Sequence, residues 1–144
     1  APASASDMVR IKRLAVAASA GPGSLADRED RAGSFAVDRR WLRRLGASPD
    51  RLTMIQVQGD SMVPTLSDGD DILVDQGDSG ERVRDGIYVL GIDDEVYVKR
   101  LSIDPFTRRY SIISDNRDYP SWSDRDPAMV RVIGRVVWAG RRLG

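Results

Sequence analysis

The sequence predicts a mainly β domain preceded by a long, irregular arm, and three observations lead there. From Met54 onward, short β-branched runs recur between Gly, Asp, Asn and Pro turns. No helical pattern longer than two turns follows residue 54. Residues 1–53, by contrast, are rich in Ala, Gly, Ser, Asp and Arg, and Gly21-Pro22-Gly23 breaks any regular element there. The chain therefore divides into an N-terminal arm, 1–53, and a β-rich domain, 54–144.

Taken in order, residues 1–6 read as a flexible end, and a start other than Met reads as a fragment of a longer protein. Lys12-Arg13 ahead of Leu14-Ala15-Val16-Ala17-Ala18 resembles a signal peptide, with Ala18-Ser19-Ala20 as its cleavage site. The apolar stretch is short and mostly alanine, however, and Asp7 sits in the basic region. One short helix is expected, with Asp38 as N-cap, residues 39–45 as body and Gly46 as the stop. Its Trp41, Leu42 and Leu45 make an apolar stripe suited to packing on a core. Strands follow at 54–58, 71–75, 86–91, 96–101, 110–114 and 130–137. No repeat of fixed period interrupts them.

Composition narrows the chemistry. A chain of 144 residues can bury roughly two-thirds of its unfolded surface, enough for a core without staples. No apolar run approaches the ~18 residues of a membrane span. There is no histidine and no cysteine, which removes His-dependent triads, thiol nucleophiles, disulfides, Fe–S clusters and the usual zinc sites. Net charge is zero, so no whole-chain basic field points to nucleic acid. Of the 22 basic residues all but Lys12 and Lys99 are arginine, which cannot serve as a base.

A hydrolase built from this inventory needs paired carboxylates, an oxygen-bound metal, or a Ser/Thr nucleophile with a lysine base. Asp68, Asp70 and Asp71 crowd one turn and Asp93-Asp94-Glu95 another, but neither follows a calcium-loop order. They read as solvated turns, and no metal or cofactor is expected. The third option has a local signature: Gly59-Asp60-Ser61-Met62 at a strand's exit, where a glycine allows a sharp turn that exposes the hydroxyl and frees N–H groups for an oxyanion. A serine turn bonding its own backbone is the plainer alternative. Lys99 shares a strand face with Tyr97 and Leu101, where it either snorkels to water or is buried and partly neutral. Glu95, four positions away, is placed on the opposite face.

The run Val57-Gln58-Gly59-Asp60-Ser61-Met62-Val63-Pro64-Thr65-Leu66-Ser67-Asp68-Gly69-Asp70 closely resembles the nucleophile segment of the LexA/UmuD and phage-repressor family of self-cleaving serine peptidases. Val98-Lys99-Arg100-Leu101 resembles that family's lysine strand. The Ser114-Asp115-Asn116 turn before Tyr119-Pro120 and the closing run Ile133-Gly134-Arg135-Val136-Val137-Trp138 are similar too. Ala18-Ser19-Ala20-Gly21 resembles the cleaved segment. Val63 departs from the pattern, since many relatives carry an acid there. The ordered set, from about Val9 to Leu143, is far more specific than any one motif.

The resemblance implies a compact LexA-like Ser-Lys peptidase fold, mainly β, in which the cleavage segment lies across its own active site. It implies that Lys99, neutral, takes the proton of Ser61, that Ser61 attacks the Ala20 carbonyl, and that backbone N–H groups of Ser61 and Asp60 hold the oxyanion. Lys99 then protonates the leaving amine of Gly21. It also implies a cytoplasmic homodimer that reaches operator DNA through a helix-turn-helix domain not present here, with a RecA filament of the SOS response or an antirepressor as trigger. The alternatives are a catalytically silent dimerisation domain controlled by a partner protein, a type I signal peptidase, which needs a membrane anchor, and a plain β-barrel binding domain. Two surfaces are expected for dimerisation: an exposed sheet edge and the strand at Val136-Val137-Trp138, where Trp138 could equally be core.

Overall fold

Six of the nine described strands and the one α-helix lie where the sequence places them. The computed structural model describes residues 8–19, 34–77 and 83–143, with side chains of 8–13 only in the first stretch. The elements are β1 (Met8–Ser19), β2 (Ser34–Asp38), α1 (Arg39–Arg44), β3 (Leu52–Gln58), β4 (Asp71–Asp75), β5 (Gly86–Ile92), β6 (Glu95–Ile103), β7 (Tyr110–Ile113), β8 (Trp122–Arg125) and β9 (Arg131–Gly140). Helix α1 starts where a carboxylate can satisfy its orphan donors: the Arg40 N–H donates to Asp38 Oδ1 at 2.7 Å. It ends at Gly46, whose φ of +72° suits glycine best. Leu42 is buried and Trp41 and Leu45 partly so, against a cluster of Ile11, Leu52, Met54 and Leu73. Trp41 meets Trp138 edge to face, ring centroids 5.6 Å apart.

All nine strands join one sheet in the order β2-β1-β3-β4-β9-β5-β6-β7-β8. Neighbours run antiparallel except β1 and β3, which are parallel, with Ala17, Ala18 and Ser19 opposite Gln56, Val57 and Gln58. Strands β1 and β2 lie in the arm, where the sequence pattern shows only the helix, and β8 was likewise unread. Alanine-rich β1 lacks the β-branched signature, and its strand state depends on pairing with both β2 and β3. Although distant from β6 in the sheet order, β1 touches it, so the sheet curls over itself. Leu52 to Ile55 of β3 are buried without alternation because both faces of that strand are covered.

Val136, Val137 and Trp138 belong to β9, whose residues 135–140 run beside β4 and whose residues 131–135 run beside β5, so the stretch expected as a dimer surface is paired with β4 alone. Val137 and Trp138 are partly buried against the cluster beneath α1.

Candidate active site

The turn after β3 is held open by the acids that follow it. Gly59 adopts φ +91°, a conformation costly for any side chain, and its N–H donates to Asp68 Oδ1 at 2.7 Å. The Val57 N–H donates to the Asp70 carbonyl (2.7 Å) and the Gly69 N–H to the Val57 carbonyl (2.8 Å). Beyond Ser61, Met62 and Leu66 plunge into the core beside Ile55, Val57 and Val98. The Ser61 position is therefore pinned from both sides, and its residue is 4% exposed.

This corrects the reading of Asp68, Asp70 and Asp71 as a merely solvated turn. Asp70 is 3% exposed, accepts the Ser67 N–H at 2.8 Å, and takes two hydrogen bonds from Arg141 at 2.9 and 3.1 Å. The guanidinium holds its carboxyl below the usual range against the opposing effect of burial. Asp71 pairs with Arg13 of β1 at 2.9 Å, so two neighbouring acids hold the C-terminal tail and β1.

Lys99 does not snorkel. It is 2% exposed on β6, and burial pushes its amine below the ordinary lysine value. Nζ donates to Ser114 Oγ at 2.8 Å. Glu95 belongs to the same face as Lys99, not the opposite one, because the side-chain period of a strand is two. Its carboxylate is nonetheless engaged, accepting the Tyr97 hydroxyl, which that bond and burial push up to about 12. The Lys99 amine lies 6.0 Å from the Tyr97 ring centroid.

The turn at 114–116 joins the two residues. Ser114 receives the lysine, while the Asn116 N–H donates to the Ser61 carbonyl at 3.0 Å and Asn116 Nδ2 to the Asp60 carbonyl at 2.9 Å. Fixing the Asp60 carbonyl fixes the plane of its peptide, and with it the opposite direction of the Ser61 N–H. Arg100, one residue after the lysine and on the other strand face, makes two 2.8 Å hydrogen bonds to Asp115, which also accepts Thr65 Oγ1 at 2.6 Å. Ala20 and Gly21 lie outside the described residues. Ser19, their predecessor in the chain, is opposite Gln58, at the end of the strand that feeds the Ser61 turn.

With this geometry in view, comparison with known proteins decides the family. The Peptidase S24-like family model matches residues 11–137. The chain belongs to the Peptidase S24-like family. It is 34% identical over 137 residues to the 26 kDa repressor protein of Escherichia phage HK022, covering 91% of this chain and 57% of that protein. It is 34% identical over 121 residues to repressor protein CI of Enterobacteria phage phi80, 82% of this chain and 50% of the relative. An uncharacterized HTH-type transcriptional regulator of Haemophilus influenzae is 33% identical over 105 residues, 71% and 43% of the two chains. The chain thus spans about half the length of the curated relatives it matches.

Several residues of this S24-like site escaped sequence reasoning. Ser114 and Asn116 were visible only as part of a turn, and Arg100 and Thr65 as ordinary polar positions. The hidden information is the β6–β7 register, Leu101 opposite Ile112, which brings Ser114 level with Lys99. A cavity of about 440 Å³ opens beyond Tyr97, lined also by Ile112, Trp122, Met129 and Arg109. It includes neither Ser61 nor Lys99. Among the described residues no helix is long and apolar enough to cross a membrane.

Proposed function

We propose that this chain is the self-cleaving and dimerisation part of a repressor of the LexA and phage CI type, cutting itself between Ala20 and Gly21. The observation that carries the reading is the burial of Lys99, with no described carboxylate bonded to it, its amine tied to the same 114–116 turn that holds the Ser61 backbone. A lysine in that setting reaches its neutral form at lower pH, and a neutral amine can accept the serine proton. The proposed Ser61 alkoxide adds to the Ala20 carbonyl. The oxyanion rests on backbone N–H groups of Ser61 and Asp60, and collapse expels the Gly21 amine, protonated by Lys99. Water then hydrolyses the Ala20 ester and frees Ser61. The parallel course of β1 beside β3 supports delivery of the bond, because Ser19 ends opposite Gln58.

Cleavage would separate a DNA-binding helix-turn-helix domain, outside this sequence, from the dimerising part. A cytoplasmic repressor dimer on operator DNA, released by a RecA filament or an antirepressor, is the setting that fits; the repressor names of the relatives support it. Intact mass after long incubation near pH 10 tests the reading. Fragments 1–20 and 21–144 are expected, and Ser61→Ala should abolish them in a folded chain. Full-length chain alone would hand the function to the second reading, a silent domain controlled by a partner. That reading has one observation in its favour: the Lys99 amine donates to Ser114 and not to Ser61.

A further inference from the structure

We propose that Ser114 is the positioning residue of Lys99, accepting one N–H of its amine while donating its own O–H to the Pro120 carbonyl, so that the lone pair is left for the Ser61 hydroxyl. This rests on the Ser61–Lys99 reading above and adds a third side chain to it. The Ser114 hydroxyl carries one proton, and that proton is committed, since Oγ donates to the Pro120 carbonyl at 2.8 Å. Toward Lys99 it can therefore only accept, which it does at 2.8 Å. The direction matters. A hydroxyl donating to the amine would occupy the lone pair and disable the base, whereas an accepting one turns an N–H toward itself and the lone pair away.

The hydroxyl is itself immobile. Ser114 is 5% exposed, its N–H donates to Ser121 Oγ at 2.9 Å, and the β6–β7 register sets it level with Lys99. Nothing else described can perform this task. The Tyr97 hydroxyl, on the lysine's own face, is turned to Glu95, and the Tyr88 hydroxyl, from the residue paired with Lys99 on β5, accepts the Arg84 N–H. Asp115 is held by Arg100 on the other face. Of β1, which contacts β6, residues 14–19 carry no titratable side chain by sequence, while Arg10 and Arg13 are bonded to Ser34 and Asp71 and Lys12 lines a hollow with Asp50 and Gln76. Among the described residues, the titratable groups on the lysine's own sheet face are therefore Tyr88 and Tyr97, with Glu95 behind Tyr97, and the bonded group is Ser114.

The test compares cleavage rates, from neutral pH to about pH 10, in the unaltered chain and in Ser114→Ala, Ser114→Thr and Ser114→Val. Losing the acceptor leaves the neutral amine free to turn away from Ser61 and should lower the plateau rate of Ser114→Ala by up to about tenfold, the upper end for a neutral hydrogen bond. It should also move the inflection to lower pH, because an accepting oxygen favours the charged amine. Thr and Val share one shape and differ in the hydroxyl, so Thr should recover the rate and inflection and Val should not. A residue that merely fills space predicts equal behaviour of Thr and Val, and an unchanged profile in Ser114→Ala would overturn the proposal outright. If the unaltered chain does not cut, the Ser–Lys reading fails, and a second readout still judges Ser114. The Lys99 side-chain carbon shifts, followed by NMR in Ser61→Ala, should titrate at lower pH when Ser114→Val is added than when Ser114→Thr is. Equal midpoints would refute the positioning role.

Discussion

Lys99 carries the sharpest consequences at the scale of single residues. Its folded value lies below the 10.5 of an ordinary lysine because burial penalises the charge. Between those two values the unfolded chain binds more protons than the native one, so stability rises with pH there, by at most about 1.4 kcal/mol per pH unit. Below the folded value the full penalty applies; above 10.5 it is gone. Lys99→Met should therefore stabilise the domain at pH 7, with the advantage shrinking as the pH approaches 10.5, as urea unfolding at the two ends would show. An equal gain at both ends would mean that the amine is not penalised. Lys99→Arg keeps the charge and approximate length but cannot lose its proton, so self-cleavage should vanish at every accessible pH. Retained cleavage in that variant would sink the general-base role.

Among the elements, the turn between β3 and β4 does most to place Ser61, the proposed nucleophile. Gly59→Ala forces a side chain into positive φ, at a cost of about 1–2 kcal/mol, and shifts Ser61 off its register. Cleavage should fall by more than that stability loss explains, a difference visible by comparing thermal melting with cleavage rate. The tail clamp acts on the same turn from outside. Arg141→Ala should destabilise the domain only modestly, because the guanidinium is half exposed and solvent screens the pair. Asp70 is depressed below its ordinary 3.8, chiefly by that guanidinium. Its stabilisation is complete above the unfolded value and lost as pH falls through the folded one. The Arg141→Ala deficit should accordingly fade in acid, and a deficit independent of pH would argue against the ion pair.

At the scale of the whole molecule, β1 ties the arm to the domain. Ile11 is fully buried between strands distant in sequence, so Ile11→Ala should cost about 2–5 kcal/mol in equilibrium unfolding. If β1 also delivers the bond, the same variant should cleave itself more slowly while its pH inflection stays in place. Dimerisation belongs to this scale as well. The outermost strands of the sheet are β2 and β8, the latter blunted by Asp124 and Arg125, and residues 136–140 of β9 add a stretch paired with β4 alone. Sedimentation at high micromolar concentration should show a dimer; a monomer there would remove dimerisation from the proposed function.

What the sequence determined by itself is what local chemistry can express. The β-branched runs, the Asp38 cap and Gly46 stop, the Gly59 turn and the identities of Ser61 and Lys99 were all legible, because periodicity, caps and turn residues act over a few positions. Lys99, the sole lysine of the β-rich domain, stood out against a background of arginine. Tertiary structure decided the remainder. Strand β1 is a strand because β2 pairs with its first half and β3 with its second, and Trp138 is partly buried because β9 brings it against Trp41 and the cluster beneath α1. Asp70 is buried because Arg141 returns to it, and Ser114 meets Lys99 because one hairpin register rather than its neighbour was chosen. Each of these depends on residues tens of positions apart coming into contact, and a shift of one residue in register would turn every side chain to the other face.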